Sequence, residues 1–400
     1  MSHLYLLGVA TLTLTSAGFA GSDTNADLQA RLEAAEARIN ELSAATNNNW
    51  LNDTRSDEIR GLVHDVLADA DTRASLQGSN ATAGYNGGFT IGNEDGSYSM
   101  KINGLVQTRW TYVDNDAVAT GSQWGFSNAR EWLHFSGTIA SDFSFDIREN
   151  LGGNIVDPAW ANGSFEIADG IGFTMGTMKF AGNREALIGD ENQLAMDRDA
   201  AYTVRQGIAF DYTGDNLGFT FQFFNNNGGA QGAANMSGYT WNARLEYMVE
   251  GTWDQFAAFT SETGGAAGTL VGFSYSGNDA GDGAATNEDQ NTWNVDLQMQ
   301  FGGSNLYVSY GDFSDNVAPA TDWNELQVMY GIYLDDSWEL YGRYINNNGN
   351  AVDGSIFTVG VNNYLAGQNA KWTTEVIWDD SALGANTDVT TVATQIQLYF

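Results

Sequence analysis

The last ten residues, TVATQIQLYF at 391–400, decide how the rest of the chain is read. Val392, Thr394, Ile396, Leu398 and Phe400 share one side of an extended segment, and Ala393, Gln395, Gln397 and Tyr399 share the other, because strand side chains alternate with a period of 2. One face is apolar and one polar. The segment ends on an aromatic residue, at a place where chains commonly fray. A strand there is expected to pair with the first strand of the same sheet, closing it into a barrel without edges.

The same alternation recurs from about residue 89 onward. Trp293, Val295, Leu297, Met299 and Phe301 alternate with Asn294, Asp296, Gln298 and Gln300. Leu326, Val328, Tyr330 and Ile332 oppose Glu325 and Gln327, Trp372 and Val376 oppose Lys371 and Glu375, and Trp241, Leu245 and Tyr247 oppose Asn242, Arg244 and Glu246. One face suits lipid and the other water, with Trp and Tyr recurring at the ends of the apolar faces. Composition agrees: aromatics make up 12% of the 400 residues, yet mean hydropathy is −0.30, and only Pro158 and Pro319 could interrupt a sheet. No internal run of 18 apolar residues could cross a membrane as a helix.

Tight connections (Asp215-Asn216, Gly302-Gly303, Asp335-Asp336) alternate with long ones rich in Gly, Asn and Asp at 181–201, 225–237, 277–290, 314–321 and 346–353. That is the pattern of an outer-membrane barrel with short periplasmic turns and long outer loops. Seventeen segments alternate, but an odd count would put the two ends of the barrel wall on opposite sides. Residues 253–261, where Phe256 and Phe259 break the alternation, are therefore read as a longer periplasmic turn. The expected fold is an all-β, 16-stranded antiparallel transmembrane barrel over 89–400, preceded by a short α-helical segment.

Ahead of the barrel, residues 1–20 read as a signal peptide, with an apolar stretch at 4–15 and small residues Gly18 and Ala20 before the cut. Residues 21–50 read as a periplasmic coiled coil: Leu28, Leu32, Ala35, Ile39 and Leu42 follow a 4, 3, 4, 3 spacing, with Arg31 and Glu36 placed to pair between chains. Two heptads are marginal alone, so an oligomer joined elsewhere is expected; an amphipathic helix on the protein's own surface is the alternative. Residues 51–88 read as a second helical segment, at 57–76, and a Gly/Ala/Asn-rich linker.

The net charge of −34, from 50 acidic and 16 basic residues, argues against nucleic acid as a partner. With no cysteine there is no disulfide framework or thiol nucleophile. His3 falls in the leader, and His64 and His134 suggest no hydrolytic triad; neither enzyme activity nor a cofactor is expected.

Several stretches resemble the phosphate-selective porin O and P family. Gly92-Asn93-Glu94-Asp95-Gly96 leading into 97–112 is similar to its first strand, and Phe135-Ser136-Gly137-Thr138-Ile139 to its second. Gly176-Thr177-Met178-Lys179-Phe180 with Arg184-Glu185 and Met196-Asp197-Arg198 resembles its strand and inward-folding third loop. LDDSWELYGRY at 334–344, VGVNNYL at 359–365 and Lys371 resemble its last hairpins. The likeness covers roughly 90–400 and lies in the order of the motifs. The sequence departs from the family in keeping only Arg130 of an arginine run and in having Ala181 where a proline is usual. The resemblance implies a channel for phosphate or other anions, a homotrimer in outer-membrane lipid, and a carboxy-terminal Phe400 read by the outer-membrane assembly machinery. The helical extension resembles that of a subgroup with a periplasmic coiled coil, which leaves open a structural anchor tied to peptidoglycan.

The chemistry of a pore is its lumen charge and its constriction. Strand parity places Lys101, Arg109, Arg130, Arg148, Arg244, Arg343 and Lys371 inside, since Arg or Lys on the lipid face costs about 2–4 kcal/mol near the midplane. The constriction is expected in the loop 181–201, with Arg184, Glu185, Asp190, Glu191, Asp197, Arg198 and Asp199; five acids against two bases predict a weak cation preference. Asp279, Asp282, Glu288 and Asp289 could hold Ca²⁺, although their spacing fits no EF-hand and suits a solvated acidic loop. The expected function is passive diffusion of small hydrophilic solutes or ions through a water-filled barrel.

Overall fold

The computed structural model describes residues 25–45, 61, 81–115, 121–153, 155, 159–199, 203–225, 238–279, 290–315, 322–349, 353–380 and 388–400. The leader at 1–20, the helical segment at 57–76 apart from residue 61, and Asp282, Glu288 and Asp289 lie outside them. The chain divides into two units, Met1–Ser79 and Asn80–Phe400.

In the first unit, helix α1 (Asn25–Ala45) covers the heptad segment. Leu32 and Ile39 on its seam are 39% and 48% exposed. An apolar stripe of this kind is what a coiled coil would bury.

The second unit starts with a feature the sequence reading missed. The stretch taken as a linker runs into a hairpin of β1 (Ala81–Tyr85) and β2 (Phe89–Asn93), and β2 pairs with the first residues of the barrel, Phe89 opposite Ile102. The short, Gly- and Ala-rich β1 has too little alternation to announce itself.

Sixteen antiparallel strands then follow one another around the wall. They are β3 (Ser99–Asn115), β4 (Gln123–Ile139), β5 (Phe143–Gly152), β6 (Trp160–Ala168), β7 (Ile171–Lys179), β8 (Val204–Thr213), β9 (Leu217–Asn225), β10 (Tyr239–Glu250), β11 (Ala267–Asp279), β12 (Gln290–Phe301), β13 (Ser304–Asp315), β14 (Trp323–Tyr333), β15 (Trp338–Gly349), β16 (Gly354–Gln368), β17 (Ala370–Asp379) and β18 (Val389–Tyr399). Each pairs with the next, and β18 returns to β3 in a register running from Val389 opposite Asn115 to Tyr399 opposite Leu105. The barrel is closed, as the terminal segment predicted.

The two faces of the wall are the reverse of a water-soluble protein. Outward residues such as Phe219, Tyr247, Phe273, Leu340 and Leu398 are exposed, whereas inward Gln107, Asn242, Asp296, Gln327 and Asn362 are buried. An apolar exterior and a polar interior are what a barrel needs in lipid.

Connections alternate in length as expected. Gly302-Gly303 joins β12 to β13 with positive φ at both residues (68° and 129°), a conformation that favours glycine. The segment between β10 and β11 is the exception at the short-turn end. It is a 16-residue connection, 251–266, containing a 3₁₀ turn at Asp254–Ala257. Phe256 and Phe259 are fully buried: Phe256 packs on Met248 and Leu270, and Phe259 on Tyr307 at 4.8 Å between ring centroids. The broken alternation at 253–261 thus reflects a turn folded inward rather than a strand.

A β-bulge in β4 matters for the site. Gln107 pairs with Arg130 and Thr108 with Asn128, leaving Ala129 as the extra residue. Before it, Trp124 and Phe126 point outward at 69% and 76% exposure; after it, Arg130 and Trp132 are buried inside. The inserted residue reverses the parity of the strand and turns Arg130 into the lumen.

Candidate functional site

β7 ends at Lys179, and the chain returns to the wall at Val204. The described part of this connection lies inside the barrel. Asn183 caps a one-turn helix, Arg184–Leu187, its Oδ1 accepting the Ala186 N–H at 2.9 Å. A 3₁₀ turn, Asp190–Asn192, follows.

Wall side chains bond the loop's main chain along its length. Lys371 Nζ donates to the Gln193 and Glu191 carbonyls (2.8 and 3.2 Å), Gln397 to the Glu191 carbonyl (3.0 Å), Asn362 to the Leu194 carbonyl (2.9 Å) and Arg343 to the Asp197 carbonyl (2.6 Å). Near its start, Asn242 donates to the Ala181 carbonyl at 3.1 Å, while Gln222 accepts the Ala181 N–H at 2.9 Å. Buried peptide groups need such partners. Ile188, Leu194 and Ala195 add an apolar contact with Phe259, Tyr307, Met329 and Tyr341. The inward turn joins in: the Phe259 N–H donates to the Asn192 carbonyl, and Arg184 donates to the Phe256 carbonyl. Loop and turn brace each other within the lumen.

Charge organises the same region. Asp190 is 2% exposed and faces three guanidiniums: Arg148 at 2.6 Å, Arg130 at 3.8 Å and Arg198 in close contact. The Trp132 indole donates to it at 3.2 Å, and Arg148 lies between the rings of Trp132 (4.4 Å) and Trp160 (4.8 Å). Asp197 accepts two bonds from Arg109 (2.6 and 2.9 Å) and one from Arg130 (3.2 Å). Bidentate guanidinium–carboxylate pairs are the stronger kind. A second group lies on β10 and β12, where Arg244 grips Asp296 through two bonds (2.8 and 2.9 Å) and reaches Glu246 at 2.9 Å, and Arg184 meets Glu246 at 3.3 Å. Glu185 accepts from Gln327 at 3.2 Å, with Arg343 at 3.9 Å.

Burial alone would raise the Asp190 carboxyl, but the charges of Arg198, Arg148 and Arg130 outweigh it and hold it well below the usual range. At Asp197 burial again pulls upward, and Arg109, followed by Arg130 and Arg343, brings the group down to about 2. Glu191, buried without comparable compensation, is raised.

The seven basic residues expected to line the pore have side chains on the inner face of the wall. Lys101 sits beside the Gly87-Gly88 turn, and Arg109, Arg130, Arg148, Arg244, Arg343 and Lys371 surround the loop. Indeed every Lys and Arg after residue 79 faces inward, including Lys179 against the Trp160 ring (5.3 Å) and Arg205, which donates to Thr240 at 2.9 Å. Of the seven loop residues, Asp190, Asp197 and Arg198 share the arginine cluster. Arg184 and Glu185 face the β10–β14 side, Glu191 contributes its carbonyl, and Asp199 adjoins Glu325. The loop's excess of acid, read as a weak cation preference, is compensated at Asp190 and Asp197 by wall arginines. Of the Ca²⁺ candidates only Asp279 is described; among the described residues no three His, Asp or Glu converge to hold a metal ion.

The sequence reading put Glu246, Asp296 and Glu375 on the water-facing side of their strands but counted neither them nor Glu339 among the site residues. It also missed the inward turn.

Phe400 completes the seam. Its N–H donates to the Gly104 carbonyl (3.1 Å), and its carbonyl accepts from Gly104 N–H (3.0 Å) and Asn103 Nδ2 (3.1 Å). Its ring covers Gly104, where an added Cβ would lie 2.4 Å from the ring edge, and tilts against Phe89 at 5.8 Å.

This architecture is shared with solved outer-membrane proteins. The chain is similar to an anion-selective porin from Comamonas acidovorans (14% identity, TM-score 0.54, 76% of this chain and 100% of that one). It is similar to OmpF of Salmonella typhi in complex with daunomycin (13%, TM-score 0.53, 79% and 100%). A loop L8 deletion mutant of OmpT, an outer membrane protein of Vibrio cholerae, also matches (12%, TM-score 0.51, 76% and 100%). At these identities the likeness is one of fold: a closed 16-stranded barrel of the porin type. No protein-family profile and no curated protein sequence matches the chain.

Proposed function

We propose that the chain is an outer-membrane porin giving passive diffusion of small hydrophilic solutes or ions. The observation that carries this reading is the loop after β7, held inside a closed, apolar-surfaced barrel by charged side chains of both signs. Opposed charges across a narrow passage make a transverse field that sorts solutes by size and polarity. The constriction is formed by Arg184, Glu185, Asp190, Glu191, Asp197, Arg198 and Asp199 against Arg109, Arg130, Arg148, Arg343 and Lys371. Purified protein in planar bilayers should give stepwise conductance; a folded, heat-modifiable protein with none would sink the proposal.

Membership of the phosphate-selective porin O and P family would make the channel anion-selective. The inward placement of every Lys and Arg after residue 79 favours that second reading. Against it, the guanidiniums facing Asp190 and Asp197 are engaged by carboxylates. Reversal potentials in KCl and in potassium phosphate gradients separate the two.

The assembly we propose is a homotrimer in outer-membrane lipid, with α1 in the periplasm as a coiled coil whose Leu32 and Ile39 meet their counterparts. Chemical cross-linking of membranes should then yield trimers, and a monomer throughout would refute it. A structural anchor bound to peptidoglycan through α1 is the competing role, favoured by how much of the lumen is packed between loop and turn. Co-sedimentation with peptidoglycan in the absence of conductance would support that role instead.

A further inference from the structure

Toward the end of the barrel that carries the long connections, the loop and strands β11–β14 enclose a cavity of about 370 Å³. Its lining differs from the rest of the lumen. Asp199 and Glu325 line it with acidic side chains, and no Lys or Arg does. Asp190 and Asp197, a few residues earlier, are saturated by guanidiniums; the Asp199 carboxyl instead adjoins that of Glu325.

Two buried side-chain oxygen atoms there have no hydrogen-bond donor. Asn294 is 9% exposed, and its side-chain oxygen accepts no hydrogen bond. The same is true of Asp199 Oδ2. Buried acceptors left without donors are uncommon and ask for an explanation. A cationic donor would satisfy both oxygen atoms and take the place of the proton that the hydrogen-bonded Asp199 and Glu325 carboxyls share. The wall also carries Phe313 and Trp323, their rings stacked at 5.8 Å and 28°, and aromatic faces attract organic cations.

We propose that this cavity binds small organic cations: ammonium compounds with an apolar body, held by Asp199 and Glu325 at the charged end and by Phe313 and Trp323 along the chain. A bare metal ion fits less well, since no three acids converge on one point among the described residues. A neutral sugar brings no charge to replace the proton the two carboxyls share. As a solute site the cavity rests on the channel reading, but binding can be measured without conductance.

The test is calorimetric titration of the full-length protein in detergent with putrescine, its neutral counterpart 1,4-butanediol, glucose and CaCl₂. Putrescine should bind saturably and at least tenfold more tightly than butanediol. Glu325→Gln and Asp199→Asn should each weaken it about tenfold, and Trp323→Leu several-fold, in proteins that keep heat-modifiable mobility. Equal binding of butanediol overturns the proposal. So does putrescine affinity unchanged in folded Glu325→Gln and Asp199→Asn, glucose binding lost in Trp323→Leu but kept in Glu325→Gln, or Ca²⁺ binding alone. Binding without conductance would refute the channel and leave the site standing; conductance without binding would do the reverse.

Discussion

Replacing Asp190 by Asn keeps the shape of the side chain and removes the charge that three guanidiniums share. Arg148 at 2.6 Å, Arg130 at 3.8 Å and Arg198 would be left facing a neutral amide in a site closed to solvent. Removing one member of a buried ion pair costs about 3–5 kcal/mol, because the other charge stays desolvated. At about 1.4 kcal/mol per factor of ten, local opening of the loop becomes favoured by roughly a hundredfold to a few thousandfold. The loop should not leave the lumen, since Asp197 remains bonded to Arg109 and the Gln193, Leu194 and Asp197 carbonyls keep their wall donors. The expected result is a channel with larger, noisier single-channel steps. Its reversal potential in a KCl gradient should shift toward anions, because the passage gains one positive charge. Adding Arg148→Gln should restore part of the quiet behaviour, a coupling a double-mutant cycle would read. Folded Asp190→Asn protein with unchanged step size, noise and reversal potential would refute both the pinning role and the placement of these charges in the ion path.

Phe259→Ala should cost about 3–5 kcal/mol by opening a cavity between turn 251–266 and the loop, read as a lower urea midpoint for loss of the heat-modifiable form. Deleting Phe400 removes the paired bonds to Gly104 and the ring over it; barrel yield should fall while assembled protein conducts normally, and a normal yield would count against an assembly role. The Asp197 pin has a defined pH range. Its folded carboxyl lies at about 2, below the ordinary value of 3.8, so its contribution is complete above about pH 4 and is lost as pH falls toward 2. Step size should therefore hold from pH 7 to about 4.5 and change only nearer pH 2; a change centred at pH 5–6 would point to another group.

Closure was legible in the alternation of 391–400, and lumen parity was legible wherever strands run without interruption, as at Arg244, Arg343 and Lys371. Arg130 points inward through a feature the sequence reading did not use: unbroken alternation from Trp124 and Phe126 would have turned it toward lipid, and the extra Ala129 reverses it. The acids of the wall had the same signal as the bases. Asp296 alternates with Val295 and Leu297, yet only its pairing with Arg244 reveals that it cancels a charge. Such pairings join residues tens of positions apart and leave no local trace. The inward turn was half legible: Phe256 and Phe259 showed that 253–261 was not a strand, but not that both rings would be buried against the lumen's contents.

The chain's overall charge is a poor guide to its pore, and the strands explain why. A cationic side chain on the outer face would stand in hydrocarbon, at about 2–4 kcal/mol near the midplane, so every Lys and Arg after residue 79 is turned inward. Acids face no such restriction on exposed turns and outer segments, as at Glu94, Asp95 and Asp336, and many of the 50 are free to remain in water. Inside, Asp190, Asp197, Glu246 and Asp296 meet arginines within 4 Å. The described lumen is thus far closer to neutrality than a net charge of −34 suggests. Asp199 and Glu325, hydrogen-bonded to each other and in the field of Arg343, stand on the side of the loop that opens toward the long connections. A solute entering from there should meet this acidic pair first and the paired, transverse field second.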